Sequence, residues 1–98
     1  MTITINIPTI LRSITADQKK VSSQGGSILQ VIENLEREYP GIQDRLIKDG
    51  GVHQYMNIYV NDNDIRFMND LATSVAAGDT VTILPAVAGG SGRLDARA

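Results

Sequence analysis

The sequence predicts an α+β domain in which one main helix covers one face of a sheet of about five strands. Three observations predict it. The N-terminal segment "TITINI" at 2–7 alternates with period two, a single stretch from Ser27 to Tyr39 has helical period, and period two returns from Tyr55 to the closing "TVTIL" at 80–84. The resulting order is strand, strand, helix, strand, strand, strand, and a lone helix can shield only one side of such a sheet.

In "TITINI", Ile3, Ile5 and Ile7 fall on one side and Thr2, Thr4 and Asn6 on the other, the pattern of a β-branched strand with one buried face. Pro8 lacks a backbone donor and ends the regular ladder or places it at an edge, and the polar "SITADQKK" leads to a second short strand near Lys19–Ser22, completing a hairpin with a long loop. Gly25 and Gly26 permit a turn with positive φ, and Ser27 with Gln30 matches a capping box. Ile28, Val31, Ile32, Leu35 and Tyr39 then recur at helical spacing, with Glu33, Glu36, Arg37 and Glu38 opposite and Glu33 placed to pair with Arg37. "YPG" at 39–41 stops the helix, because Pro40 disfavours helical backbone at Tyr39. A short helical turn over Ile42–Ile47 follows, closed by "KDGG".

From Tyr55, Met56, Ile58 and Val60 alternate with Tyr55, Asn57 and Tyr59. "NDND" at 61–64 reads as a turn into a short strand around Ile65–Phe67, "AAGD" at 76–79 as another turn, and Pro85 as the end of the last strand. Tyr55, Tyr59 and Leu84 are either exposed contacts or ordinary cross-strand packing, and packing is the safer assumption.

Composition narrows the function classes. The chain has 98 residues, 42% of them hydrophobic, enough for one core and one domain. A net charge of −2 offers no basic excess for nucleic acid or anionic lipid. No stretch approaches the roughly 18 apolar residues of a membrane span and no signal-peptide pattern opens the chain, so the expectation is a cytoplasmic protein. The absence of cysteine removes disulfides, thiolate nucleophiles and cysteine-ligated zinc.

No catalytic or metal constellation emerges. His53 stands alone in a loop, without the partners that catalysis or metal binding requires. Asn61, Asp62, Asn63 and Asp64 lack EF-hand spacing and its terminal glutamate, which favours a turn. "GGS" at 25–27 lacks the length and lysine of a phosphate loop.

Attention therefore moves to the end of the chain. Pro85 and the extended bias it imposes on Leu84 direct the backbone straight out of the last strand. Ala86, Val87, Ala88, Gly89 and Gly90 follow, a thin arm suited to a narrow groove in another protein. From punctuation alone, a mobile terminus of no function remains the rival reading.

The segments "IPTILR" at 7–12, "MNIYVNDNDIRF" at 56–67 and "LATSVAAGDTVTILPAVAGG" at 71–90 resemble the ThiS/MoaD-type sulfur carrier proteins, in particular their CysO-like branch. The likeness covers residues 1–90, and "GDTVTILP" followed by "AVAGG" is its most specific part. The resemblance implies a β-grasp, ubiquitin-like fold with a mixed sheet. It implies a carrier that is not an enzyme and binds no cofactor itself. An adenylating enzyme of the ubiquitin-activating type uses ATP and magnesium to activate the last glycine, and sulfur displaces AMP to leave a thiocarboxylate. Transferred to this chain, Gly90 is the adenylation and thiocarboxylate site, and Ala86, Val87, Ala88 and Gly89 form the reactive arm. For the CysO-like branch, the resemblance implies a pyridoxal-phosphate-dependent cysteine synthase acting on an activated serine as the sulfur acceptor. A ubiquitin-like modifier joined to lysines through Gly90 would use the same activation chemistry, and a β-grasp binding module would use none of it.

This chain departs from the pattern in its last eight residues, "SGRLDARA". With Gly90 in a peptide bond to Ser91, no carboxylate is available to adenylate. The expected organisation is a single domain over 1–88, a reactive diglycine at 89–90, and an extension at 91–98 removed by cleavage between Gly90 and Ser91. A JAMM-type metalloprotease is the candidate for that cut, and an artificial appendage is the competing account of the octapeptide.

Overall fold

The computed structural model describes residues 2–86. Its strands are β1 (Ile3–Asn6), β2 (Lys20–Ser23), β3 (Ile47–Lys48), β4 (Gly51–Val52), β5 (Met56–Val60), β6 (Asn63–Asp64) and β7 (Thr80–Pro85), and its helices are α1 (Ile28–Glu38) and α2 (Ile42–Leu46). Short 3-10 turns occupy Thr9–Leu11, Ile65–Phe67 and Asp70–Ala72. The five-stranded sheet runs β2-β1-β7-β5-β6, and β3 and β4 form a separate two-stranded ribbon. β1 and β7 pair in parallel, with Ile5 opposite Val81, while the other neighbours in the sheet are antiparallel. The predicted α+β class and the mixed sheet of five strands are what the structure contains.

Period two places Ile3, Ile5, Ile58, Val60, Val81 and Ile83 on one face of the sheet, where Ile28, Val31, Ile32 and Leu35 of α1 meet them in one buried cluster. Leu11, Ile42, Leu46 and Ile65 close its margins, all without solvent exposure. Removing this apolar surface from water is the main stabilising term.

The start of α1 is fixed from several sides. The Gln30 N–H donates to Ser27 Oγ at 3.3 Å, as a capping box requires, but the Gln30 side chain accepts from Gly26 N–H at 2.7 Å, one residue before the cap. Gly25 sits at φ +151°, and a Cβ there would lie 2.9 Å from both Gln30 Cβ and Val31 N, so the close approach requires glycine. The segment after the last 3-10 turn then clamps the cap, with Ile28 N–H donating to Thr73 O and Val75 N–H to Gly26 O.

Four local expectations are corrected. Residues 65–67 form a 3-10 turn, and the strand after the turn is Asn63–Asp64, because the Asp64 carboxylate accepts from Arg66 N–H at 2.9 Å and draws the backbone into a cap. Arg37 donates to Asn34 Oδ1 at 3.3 Å and makes no ion pair with Glu33; among the described residues the single ion pair is Arg66–Asp64 at 4.0 Å. "KDGG" does more than close α2, since it turns the β3–β4 ribbon, with Asp49 and Gly50 at positive φ. Pro85 is the last residue of β7, paired with Met56, and not the first residue beyond a strand over 80–84. The donor that Pro85 lacks would point toward β1, whose ladder with β7 has already stopped at Asn6 opposite Thr82, so the proline leaves no bond unmade.

Two carboxylates close turns. Glu36, on α1, accepts from Gly41 N–H at 3.0 Å and Gln43 N–H at 2.9 Å, capping α2 across the "YPG" turn. Asp79 accepts from Ala76 N–H at 2.9 Å and from the Asn61 side chain at 3.2 Å. The bonds from Gln43 and Gly41 hold the Glu36 carboxyl below its ordinary value, and those from Ala76 and Asn61 do the same for Asp79. Because both folded values are depressed, the stability they contribute is present above the unfolded carboxylate range and is lost as pH falls through the folded values. Thermal denaturation in steps from neutral to acid pH should show Tm falling, and the double variant Glu36→Gln/Asp79→Asn should flatten part of that fall; an unchanged slope would remove these groups from the account. In urea, Leu35→Ala should lower stability by about 2–5 kcal/mol through the cavity it leaves.

Candidate functional site

The candidate site is the arm that leaves β7, and the fold determines where that arm starts. β7 lies at the centre of the sheet, paired on one side with β1 and on the other with β5. The β5 ladder carries it through Pro85, and one more bond runs from Ala86 N–H to Tyr55 O at 2.8 Å. Ala86, the first of the predicted arm residues, is thus half-buried and anchored. Val87, Ala88, Gly89, Gly90 and Ser91 lie outside the described residues, as do the proposed cleavage point and the extension.

The residues set aside from the sequence prove to serve local structure. His53 Nδ1 accepts from Tyr55 N–H at 3.2 Å, and its ring centroid lies 5.5 Å from that of Tyr55. Asn61, at φ +54°, accepts from Thr80 N–H at 3.0 Å and donates to Asp79, joining the β5–β6 turn to the start of β7. Among the described residues no group of three His, Cys, Asp or Glu side chains is placed to hold a metal ion. Nor is any helix there long and apolar enough to cross a membrane.

The face of the sheet opposite α1 is open. Tyr59 is half-buried, but Tyr55 and Leu84 expose 51% and 45% of their surface, so for these two the assumption of packing is corrected in favour of the exposed alternative. Alternation turns them away from the helix that covers the sheet. Sequence reasoning also missed Ile10, Met68 and Phe67, the last 88% exposed. The strand expected at 65–67 obscures Phe67; the signal that could have found it is that the only phenylalanine of the chain lies in a short polar segment next to Arg66. A groove beside the arm's root brings Ile10, Leu84 and Pro85 together with Arg12, Lys19 and Lys20.

A mixed sheet with a parallel central pair, folded around one main helix and ending in an arm, defines the β-grasp, ubiquitin-like class. The ThiS family pattern matches residues 5–90, and the chain belongs to that family. It is similar to the protein named sulfur carrier protein CysO of Mycobacterium tuberculosis, with 54% identity over 93 residues covering 92% of this chain and 100% of the relative. Among solved structures, a chain of the Amycolatopsis orientalis BexX/CysO complex has 48% identity and a TM-score of 0.85, covering 90% of this chain and 99% of that one. Mycobacterium tuberculosis CysO, whose structure is described as that of an antigen, has 52% identity and a TM-score of 0.84, covering 87% and 99%. The family match ends at residue 90, the second glycine of the pair.

The anchoring of Ala86 is open to direct measurement. Amide hydrogen exchange followed by NMR should find the Ala86 amide protected along with the β5–β7 ladder. Exchange at the free-peptide rate would mean that the arm begins one residue earlier.

Proposed function

We propose that this protein is a cytoplasmic sulfur carrier that works through the carboxylate of Gly90, made available by removal of residues 91–98. The observation that carries the reading is the coincidence of the family match's end with the diglycine, five residues beyond a strand fixed at the centre of the sheet. The similarity to proteins named as sulfur carriers supports the same reading.

In the proposed chemistry the Gly90 carboxylate attacks the α-phosphorus of ATP in an adenylating enzyme of the ubiquitin-activating type, and pyrophosphate leaves. A sulfur nucleophile then attacks the carbonyl of the acyl adenylate and AMP departs, leaving a thiocarboxylate. The enzyme supplies magnesium and the catalytic groups, and this chain supplies the acyl group and its presentation. The small residues Ala86, Ala88 and Gly89, with only Val87 larger among them, let the backbone enter a confined site, where bulkier side chains would hold the carbonyl away from the reacting phosphate. With no cysteine anywhere in the chain, the transferable sulfur resides on the terminal carbonyl. The sulfur acceptor proposed is a pyridoxal-phosphate-dependent cysteine synthase acting on an activated serine. The proposed processing enzyme is a JAMM-type metalloprotease.

The test compares residues 1–90 with the full chain in ATP–pyrophosphate exchange by the source organism's adenylating enzyme, followed by intact mass spectrometry after addition of a sulfur donor. The shorter chain should support exchange and gain one sulfur in place of one oxygen, while the full chain should do neither. Exchange supported equally by both would refute the precursor reading. High-mass lysine conjugates without a sulfur-bearing species would establish the modifier in place of the carrier.

A further inference from the structure

The β6 edge of the sheet carries an apolar patch that plays no part in the chemistry proposed above. Phe67 and Met68 expose 88% and 44% of their surface there, and with Tyr59 they line a shallow depression rimmed by Asp62 and Asp64. Asp64 is already engaged, since its carboxylate accepts from Arg66 N–H at 2.9 Å and lies 4.0 Å from the Arg66 guanidinium. Asp62 has no cation within ion-pair distance among the described residues. A large exposed aromatic side chain beside an unpaired carboxylate fits an occupant that is both apolar and basic.

The chain itself holds such a segment. In "SGRLDARA" at 91–98, Leu94 follows Arg93, and Arg97 comes three residues later, against a single acid, Asp95. Two Arg and one Asp give this segment a net charge of +1, whereas the seven Lys and Arg and ten Asp and Glu of residues 1–90 give −3. The two parts therefore attract each other. A second copy presenting the same patch would set Asp62 against Asp62, which disfavours self-pairing there.

The length of the tether permits the contact. The Arg66 side chain donates to Met56 O at 2.7 Å, and Met56 pairs with Pro85, so the turn bearing Phe67 lies two strand spacings, about 10 Å, from the root of the arm. Leu94 is eight residues beyond Ala86, which allows up to about 28 Å of extended chain. That surplus is enough for a reversal, and glycine at 89, 90 and 92 permits one because it takes positive φ without steric cost.

We propose that residues 91–98 dock on this patch of their own chain, with Leu94 against Phe67 and Met68 and Arg93 beside Asp62, so that the uncut protein covers its apolar edge. So short a tether gives the segment an effective concentration on the order of millimolar, which populates a contact too weak to form between separate molecules. The contact does not depend on what is done with Gly90. Under the processing proposed above, the cut that frees Gly90 also uncovers Phe67, and the surface of the protein changes together with its terminus.

The test compares amide NMR spectra of the full chain and of residues 1–90. Resonances of residues 62–68 should differ between the two, those of Lys19 and Lys20 on the opposite edge should coincide, and the difference should persist on about tenfold dilution, as an intramolecular contact requires. Leu94→Ser in the full chain should return residues 62–68 to their positions in the shorter one. Asp62→Arg, made in both lengths and checked for fold by circular dichroism, should shrink the difference, and adding Arg93→Asp to the full chain should restore it. Coincident resonances at 62–68 in the two unmodified chains would overturn the assignment and leave the patch to a separate partner. So would a difference that vanishes on dilution, which would point to another copy, or one that survives Leu94→Ser or is as large at Lys19 and Lys20. None of these readouts involves activation of Gly90, so the carrier reading stands or falls separately.

Discussion

The parallel pairing of β1 with β7 is the constraint on which the rest of this structure depends. It brings the first and last strands together at the centre of the sheet, with Ile5 beside Val81. Neighbouring parallel strands require a long connection, and here nearly the whole intervening chain provides it. The helix, the ribbon and the outer strands are formed along that connection, and α1 comes to rest against the face carrying the isoleucines and valines. Because β7 is internal, its last residues are held by β5 after β1 has turned away. The arm therefore starts from one of the better-anchored places in the molecule, although it belongs to a chain terminus.

The two faces of the sheet have different duties. One is dry, covered by α1 and apolar throughout, and supplies the stability. The other remains open, with Lys20 exposed on one edge strand and Asp64 on the other paired with Arg66. Substitutions on the open face can thus alter recognition without disturbing the core. This separation suits the proposed carrier, which several enzymes would handle in turn.

Much of this was legible in the sequence, for physical reasons that differ from element to element. Ile3, Ile5 and Ile7 declared β1 because strict alternation of apolar and polar residues suits little besides a half-buried strand, and Ser27 declared the start of α1 because a hydroxyl is needed where backbone donors are unpaired. The β3–β4 ribbon was not visible, since two-residue strands are too short to show a period. The 3-10 turn at Ile65–Phe67 was misread because its composition suits a strand and only the reach of Asp64 to Arg66 N–H decides otherwise. Glu36 reads as one more solvated acid on a polar helix face until folding brings Gly41 and Gln43 beneath it. The open face was underestimated for a related reason, as alternation reveals that a strand has two sides but not which side lacks a cover. The proposed arm drew attention only through the combination of "GDTVTILP" with "AVAGG", since glycine pairs by themselves carry little information.

The brevity of the arm has a further consequence, which concerns traffic. If Gly90 is the reactive end proposed above, a tether so short cannot be shared, because an enzyme enclosing it occupies the surface that any other enzyme working there would need. On the proposed carrier function, protease, activating enzyme and sulfur acceptor would have to take turns, each leaving completely before the next arrives. Under that regime a very tight complex at any stage would stall the cycle, and throughput is limited by how quickly each partner lets go. Selection on such a surface favours brief, well-oriented encounters over lasting ones.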